Sequence, residues 1–394
     1  MEKFTIIVTH YNQMNYIKTA LISVLNQNYK NIELIVADDC SKTFDAKKVE
    51  EIIKKYNKNK FEYKILSGKK NVGTVKNINK ALKKATGDFI MLFAGDDKLY
   101  DENVISNFIK EFKDKEKNVI TSQCILYDAE LSKKYYDYVK SKKALKLNKK
   151  NSNSIYEKMC EGCFYGSGGT AYRKEIFDKY GVFNEEYIYV EDWAYWLYIL
   201  RNGEKIYYAD FNTLCHRDGG ISHSEYTPET IPAHVKQYYK DILNIYVKEV
   251  LPYLNLFKTK EKYKILNQYK ETILYYASFV PELIKYLETF DEARLSDKKL
   301  KYYWKWNTFK SIFHIGIFSK IKILFKYNRV VPITYITWVL FCLIIINNLD
   351  IDNINVLFLI YLITYVILYC IIYVFDKLLY NLGKIIERKK LGGK

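Results

Sequence analysis

Short apolar runs broken by polar turns alternate with helix-like patterns through the first half of the chain. Residues 4–9 form a β-branched run that stops at His10-Tyr11-Asn12, and apolar positions at Ile17, Leu21, Val24 and Leu25 then repeat at helical spacing over 16–25. A second run, 32–37, ends in Asp38-Asp39-Cys40-Ser41; 46–56 is amphipathic; 63–66 reads as a short third strand. Asn71-Val72-Gly73 opens a helix over 74–85, and the run 89–93 stops abruptly at Ala94-Gly95-Asp96-Asp97. Short apolar runs bounded by turn residues read as buried strands.

Strands and helices alternating in steps of this length predict an α/β domain, a mostly parallel sheet with helices on both faces. Right-handed crossovers would put every strand end on one side, where open sheets hold their ligands. Thr9, Asp39 and Asp96 are therefore expected to converge on one crevice. Further along, Lys-rich 133–153 reads as a surface loop or insertion, and 165–170 is dense in glycine without matching a phosphate-binding loop. Glu191-Asp192 opens a helix through 200, 206–209 is a further strand, and 216–222 is a polar turn in which His216 or Arg217 is placed to meet phosphate or only to turn the chain. From 228 to about 288 the pattern is helical and amphipathic.

The tail differs in kind. Residues 330–349 and 354–375 contain no charged side chain, and each reaches the roughly 20 residues needed to cross a bilayer core of about 30 Å. Asp350 and Asp352 lie between them, and both outer flanks are basic, with Lys320, Lys322, Lys326 and Arg329 before and Lys377, Lys384, Arg388, Lys389 and Lys390 after. The positive-inside rule predicts a transmembrane helical hairpin with both termini cytoplasmic, preceded by an interfacial stretch over 309–325. A buried helical pair in a soluble domain or in an oligomer fits the same pattern. The expected division is 1–225, 226–308 and 309–394.

Net charge over the 394 residues is +17, which points to an anionic partner: nucleotide phosphates, nucleic acid or an acidic membrane surface. The lysines are spread along the chain and form no stripe, which argues against nucleic acid. The N-terminus has no basic segment followed by an apolar one and does not read as a signal peptide. Seven cysteines are scattered and make no disulfide framework. The lone Cys160-x-x-Cys163 has only Cys215-His216 as a second pair, too little for zinc.

Chemistry concentrates at the acids. Asp96 and Asp97 repel each other unless a cation lies between them, and a hard divalent cation sharing phosphate oxygens is the natural partner. A solvated turn capping the next helix uses the same residues, and the helix macrodipole accounts equally for Glu191 and Asp192 in a first helical turn.

In this order the segments resemble the family 2 glycosyltransferases, whose GT-A fold is a nucleotide-binding α/β sheet. The resemblance covers roughly residues 3–222. Thr9-His10-Tyr11-Asn12 resembles the opening nucleotide turn, and Val36-Ala37-Asp38-Asp39-Cys40-Ser41 the family's VDDGS with Cys40 in place of glycine. Asn71-Val72-Gly73 with Lys76-Asn77 resembles NxGxxxARN with Lys76 for arginine, Gly95-Asp96-Asp97 stands at the DxD with Ala94 for its first acid, Glu191-Asp192-Trp193 resembles the ED motif, and Arg217 to Ser222 a segment that often closes the site. The resemblance implies a nucleoside diphosphate sugar donor, most often a UDP-sugar, bound by Thr9, Tyr11, Asn12, Asp39, Gly73, Lys76 and Asp96. It implies Mg²⁺ or Mn²⁺ on Asp96, with Asp97 in reserve, and Asp192 as the general base of an inverting transfer, its pKa raised by the neighbouring Glu191.

The expected protein is an enzyme of cell-surface polysaccharide synthesis at the inner (cytoplasmic) membrane, its catalytic domain on the cytoplasmic side, acting on a saccharide or lipid-linked saccharide, with an oligomer compatible. A nucleotidyltransferase on a similar sheet, and a membrane scaffold that binds nucleotide without turnover, fit the same residues.

Overall fold

Alternate residues of the central strands face two separate apolar cores. The computed structural model describes residues 1–219, 226–305 and 307. In β1 (Phe4–His10), Ile6 and Val8 join one core and Ile7 the other; in β2 (Ile32–Asp38), Leu34 and Val36 oppose Ile35 and Ala37. This two-residue alternation buries a strand on both faces.

Helices α1 (Ile17–Leu25) and α2 (Ala46–Tyr56) lie on one face, the latter started by Asp45, whose side chain accepts the Lys48 N–H at 3.0 Å. β3 (Glu62–Ser67) leads to α3 (Thr74–Leu82) on the opposite face, then to β4 (Phe89–Ala94), the two-residue β5 (Lys98–Leu99), α4 (Val104–Phe112) and β6 (Val119–Tyr127). There follow β7 (Lys134–Asp137), α5 (Ser141–Leu147), α6 (Ser152–Cys160), β8 (Thr170–Arg173), α7 (Glu175–Tyr180), α8 (Asp192–Arg201) and β9 (Ile206–Arg217). Then come α9 (Ala233–Ile245), α10 (Thr259–Ala277) and α11 (Tyr286–Leu295), which share a core cluster with α3, α6 and α8 within the compact unit Met1–Trp304.

The sheet runs β3-β2-β1-β4-β8-β6-β9-β5, with β7 on β6. It is mixed, not mostly parallel. β3, β2, β1 and β4 are parallel, but β8 is antiparallel to both β4 and β6. β6 and β9 run parallel, and β5 and β7 are antiparallel to their partners. Because β8 runs backwards, the turn before it, and not the turn after it, opens on the side where the other strands end.

Two local expectations are corrected. Residues 133–153 are not a surface loop: they form β7, α5 and the start of α6, with Val139 and Ala144 buried. The Gln123 side chain bonds both the N–H and the carbonyl of Val139 at 2.8 Å, substituting for a missing ladder pair. The strand expected over 206–209 continues to Arg217, because Asp210 and Asn212, which read as turn residues, lie where the pairing with β6 shifts register. No helix among the described residues is long and apolar enough to cross a membrane. The expected spans 330–349 and 354–375, the stretch 309–325 and Gly220 to Ser222 lie outside the described residues.

Candidate active site

The ends of β1 and β2 are locked by one polar network. His10 Nδ1 lies 2.8 Å from Asp38 Oδ1, Asp38 accepts the Ser41 N–H at 3.1 Å, and the Asn12 N–H donates to Ser41 Oγ at 2.8 Å. The Asn12 side chain accepts the Lys42 N–H at 3.2 Å, so Asn12 joins the two turns. Asn12 and Cys40 hold φ of 56° and 61°, the left-handed region. Tyr11, 49% exposed, and half-buried Thr9 stand at the rim.

Asp39 is buried, and both its oxygens are taken by backbone: Oδ1 by Val72 N–H at 2.9 Å and Oδ2 by Gly73 N–H at 2.8 Å. Its carboxyl stands above the usual carboxylate range because burial outweighs those bonds. Gly73 has φ of 87°, and a Cβ there would sit 2.5 Å from Ile188 Cγ2, so conformation and space both require glycine. Lys76 is exposed on α3, while the lysine whose field reaches Asp39 is Lys80.

Asp97 is buried and accepts the Arg217 N–H at 2.9 Å and His216 Nδ1 at 3.0 Å. Burial alone would lower the His216 pKa, but Asp97 beside it pushes it up to about 9. Arg217 is clamped to protein: Nε donates to the Asp96 carbonyl at 2.8 Å, Nη1 to the Ala129 carbonyl, and the guanidinium stacks 4.3 Å over Tyr16. Asp96 is half-buried, and burial, then the neighbouring Asp97, push its carboxyl up to about 6.

Glu191 and Asp192 stand at the start of α8. Ser167 Oγ donates to Glu191 Oε1 at 3.2 Å, and the Trp193 N–H to Asp192 Oδ1 at 2.6 Å. Burial raises both carboxyls, Asp192 to about 6 and Glu191 further, to about 8, with the Asp192 charge adding to the latter. The Asp192 carboxyl is raised, as expected from sequence, with burial as the first cause. Two adjacent carboxyls, both raised by burial, take up protons as a pair. Half-buried Asp192 shares its electrostatic surroundings with Tyr138, Tyr238 and exposed Cys163.

The turn Ser167–Gly169 ties the two acid sites together. Ser167 holds Glu191, and a Cβ on Gly168 would lie 4.0 Å from Asp97 Oδ2 and 2.5 Å from Leu214 Cδ2. On the other side, Ile188 sits on Gly73 and its carbonyl accepts the Val75 N–H at 3.2 Å. Asp39, Asp97 and Glu191, the chain neighbour of Asp192, are thereby linked through intervening residues. Sequence reasoning set His216 aside as a turn residue and missed Ser167; strand continuation to 217 would have found the first, and nothing local marks the second.

Among the described residues no three His, Cys, Asp or Glu side chains form a metal cage. Asp96 and Asp97 are carboxylates of the kind that hold Mg²⁺ or Mn²⁺ through one or two oxygens and leave the rest to substrate phosphate, while His216 stays the hydrogen-bond partner of Asp97.

Residues 5–181 match the family described as glycosyl transferase family 2. An uncharacterized glycosyltransferase of Rickettsia felis is 29% identical over 50% of this chain and 31% of its own length. The GalNAc(5)-diNAcBac-PP-undecaprenol β-1,3-glucosyltransferase of Campylobacter jejuni is 26% identical over 53% of this chain and 62% of its own. The chain thus spans about a third of the Rickettsia relative's length. The solved structure of S. aureus TarS 1-349 superposes with a TM-score of 0.51, at 19% identity, over 74% of this chain and 80% of that one, which shows a shared fold.

Proposed function

The N-terminal domain of this chain belongs to family 2 of the glycosyltransferases, and on that premise we propose that the protein moves a sugar from a nucleoside diphosphate sugar, of the UDP class, to a saccharide or lipid-linked saccharide, inverting the anomeric carbon. The Campylobacter relative, named for a lipid-linked acceptor, supports that acceptor class.

The reading is supported chiefly by the turn Ser167–Gly169: Ser167 holds Glu191, the chain neighbour of Asp192, and Gly168 packs beside the buried Asp97. Tyr11, Asn12 and the turn held by Asp39 line the nucleotide side. Asp96 and Asp97 would hold Mg²⁺ or Mn²⁺, which supplies charge stabilisation for the departing diphosphate. Asp192 takes the acceptor hydroxyl proton as that oxygen bonds to the anomeric carbon and the bond to diphosphate breaks. A base near pKa 6 is better matched to this work than an ordinary carboxylate. The uncharged runs 330–349 and 354–375 and their basic flanks support a place at the cytoplasmic face of the inner membrane.

The test is a panel of UDP- and GDP-sugars with Mn²⁺ or Mg²⁺. Metal-dependent release of nucleoside diphosphate, lost in Asp192→Asn while UDP binding persists, is expected. Release of inorganic diphosphate, or full activity in Asp192→Asn, contradicts the reading.

A further inference from the structure

The loop Ile188-Tyr189 stands between the nucleotide turn and Asp192, and it is held from α9. Asp241, on α9, is fully buried. Its Oδ2 accepts the N–H of Ile188 and the N–H of Tyr189, both at 2.7 Å, and its Oδ1 accepts from Gln237 Nε2 at 2.8 Å. Ile188 in turn presses on Gly73, and its carbonyl takes the Val75 N–H. Gly73 and Val72 donate to Asp39. In the other direction the chain runs through Val190 directly into Glu191 and Asp192. One short strap therefore has the nucleotide turn on one flank and the base at its end.

We infer that Asp241 is a positioning residue: it fixes the strap 188–189, and through it sets the Asn71–Gly73 turn and the Asp192 carboxylate relative to each other. This rests on the transferase reading above and deepens it. A buried carboxylate taking two adjacent N–H groups is a strong, directional anchor, because hydrogen bonds to a charged acceptor are roughly twice as strong as neutral ones. Removing it frees the segment between the nucleotide turn and Asp192, and a misplacement of about 1 Å at a reacting group is enough to cost about 100-fold in rate. The helices after residue 226 thus carry part of the site's geometry.

The experiment compares wild type, Asp241→Asn and Asp241→Ala in the full chain, each confirmed folded by its melting transition and assayed well below it. The readouts are amide hydrogen exchange across 71–76 and 187–193, UDP affinity with Mn²⁺ by calorimetry, and kcat and donor KM. Asp241→Ala is expected to expose the Ile188 and Tyr189 amides, weaken UDP binding several-fold and lower kcat about 10- to 100-fold. Asp241→Asn keeps an accepting oxygen and should recover part of each. Unchanged exchange in both segments in a folded Asp241→Ala, or rates that follow only the folded fraction, overturns the proposal. A wild type without sugar transfer sinks the transferase reading, while exchange at 71–76 and 187–193 still decides for or against the role of Asp241.

Discussion

Cys40 holds a left-handed backbone, φ 61°, at the position where the resembling motif has glycine. The turn is kept despite the substitution, at a cost typical of an L-residue there. Cys40→Gly is expected to be neutral or to raise stability by up to about 1 kcal/mol, because relief of that strain is offset by glycine's larger unfolded-state entropy; urea unfolding measures it, and a loss above that size contradicts the strain argument. Asp192 gives a second residue-scale expectation. Its carboxyl, lifted to about 6 by burial, must be ionised to act as base, so kcat should fall as pH drops through about 6 and stay flat just above it. A profile that bends near pH 4 would place the base elsewhere. Asp39, Asp96 and Asp192 were legible in the sequence because each stands where an apolar run or a helix begins or ends. His216 and Ser167 were not, since their meaning comes from partners 119 and 24 residues away.

At the level of elements, the strand pattern was readable wherever apolar residues alternate without interruption, and misleading where a polar residue is paired inside the fold. β9 is broken in sequence by Asp210 and Asn212 but continuous in the sheet. β2 contains Glu33, fully buried, which accepts Thr5 Oγ1 at 2.7 Å, Lys64 Nζ at 2.6 Å and the Thr86 N–H at 2.8 Å. Burial pushes its carboxyl up, but these bonds outweigh it and hold the pKa at about 2. The folded value lies below the unfolded one, so this contribution is complete above the unfolded pKa and is lost as pH falls through the folded pKa. Glu33→Gln should therefore destabilise the domain by about 3 kcal/mol at pH 7, with the difference shrinking between about pH 5 and 2. A pH-independent difference in urea unfolding would contradict this. Gly73→Ala belongs at the same scale: a methyl group meeting Ile188 at 2.5 Å and a disfavoured φ should weaken UDP binding in calorimetry by at least about ten-fold, and unchanged binding would show the turn to be irrelevant to the nucleotide.

Across the whole molecule, the alternation of strand and helix was sufficient to read an α/β nucleotide-binding architecture, but not the reversed strand β8, whose direction depends on pairing between segments far apart. That reversal matters, because it turns Ser167–Gly169 into the bridge between two acid sites. The helices after 226 complete one core with α3, α6 and α8, so a chain ending at residue 225 should expose that apolar face and aggregate on expression; a soluble, cooperatively melting fragment would show the division of labour to be different.

On the proposed reading, Asp39, Asp96 with Asp97, and Asp192 border one crevice that takes a nucleoside diphosphate and a cation. A crystal grown with UDP and Mn²⁺, and the anomalous signal of the manganese, test it most directly. Manganese bound at Asp96 or Asp97, with the uracil beside Tyr11 and the Asp39 turn and Asp192 facing the terminal phosphate, is the expected result. Manganese and nucleotide bound away from these acids, or Asp192 walled off from the phosphate, would contradict it.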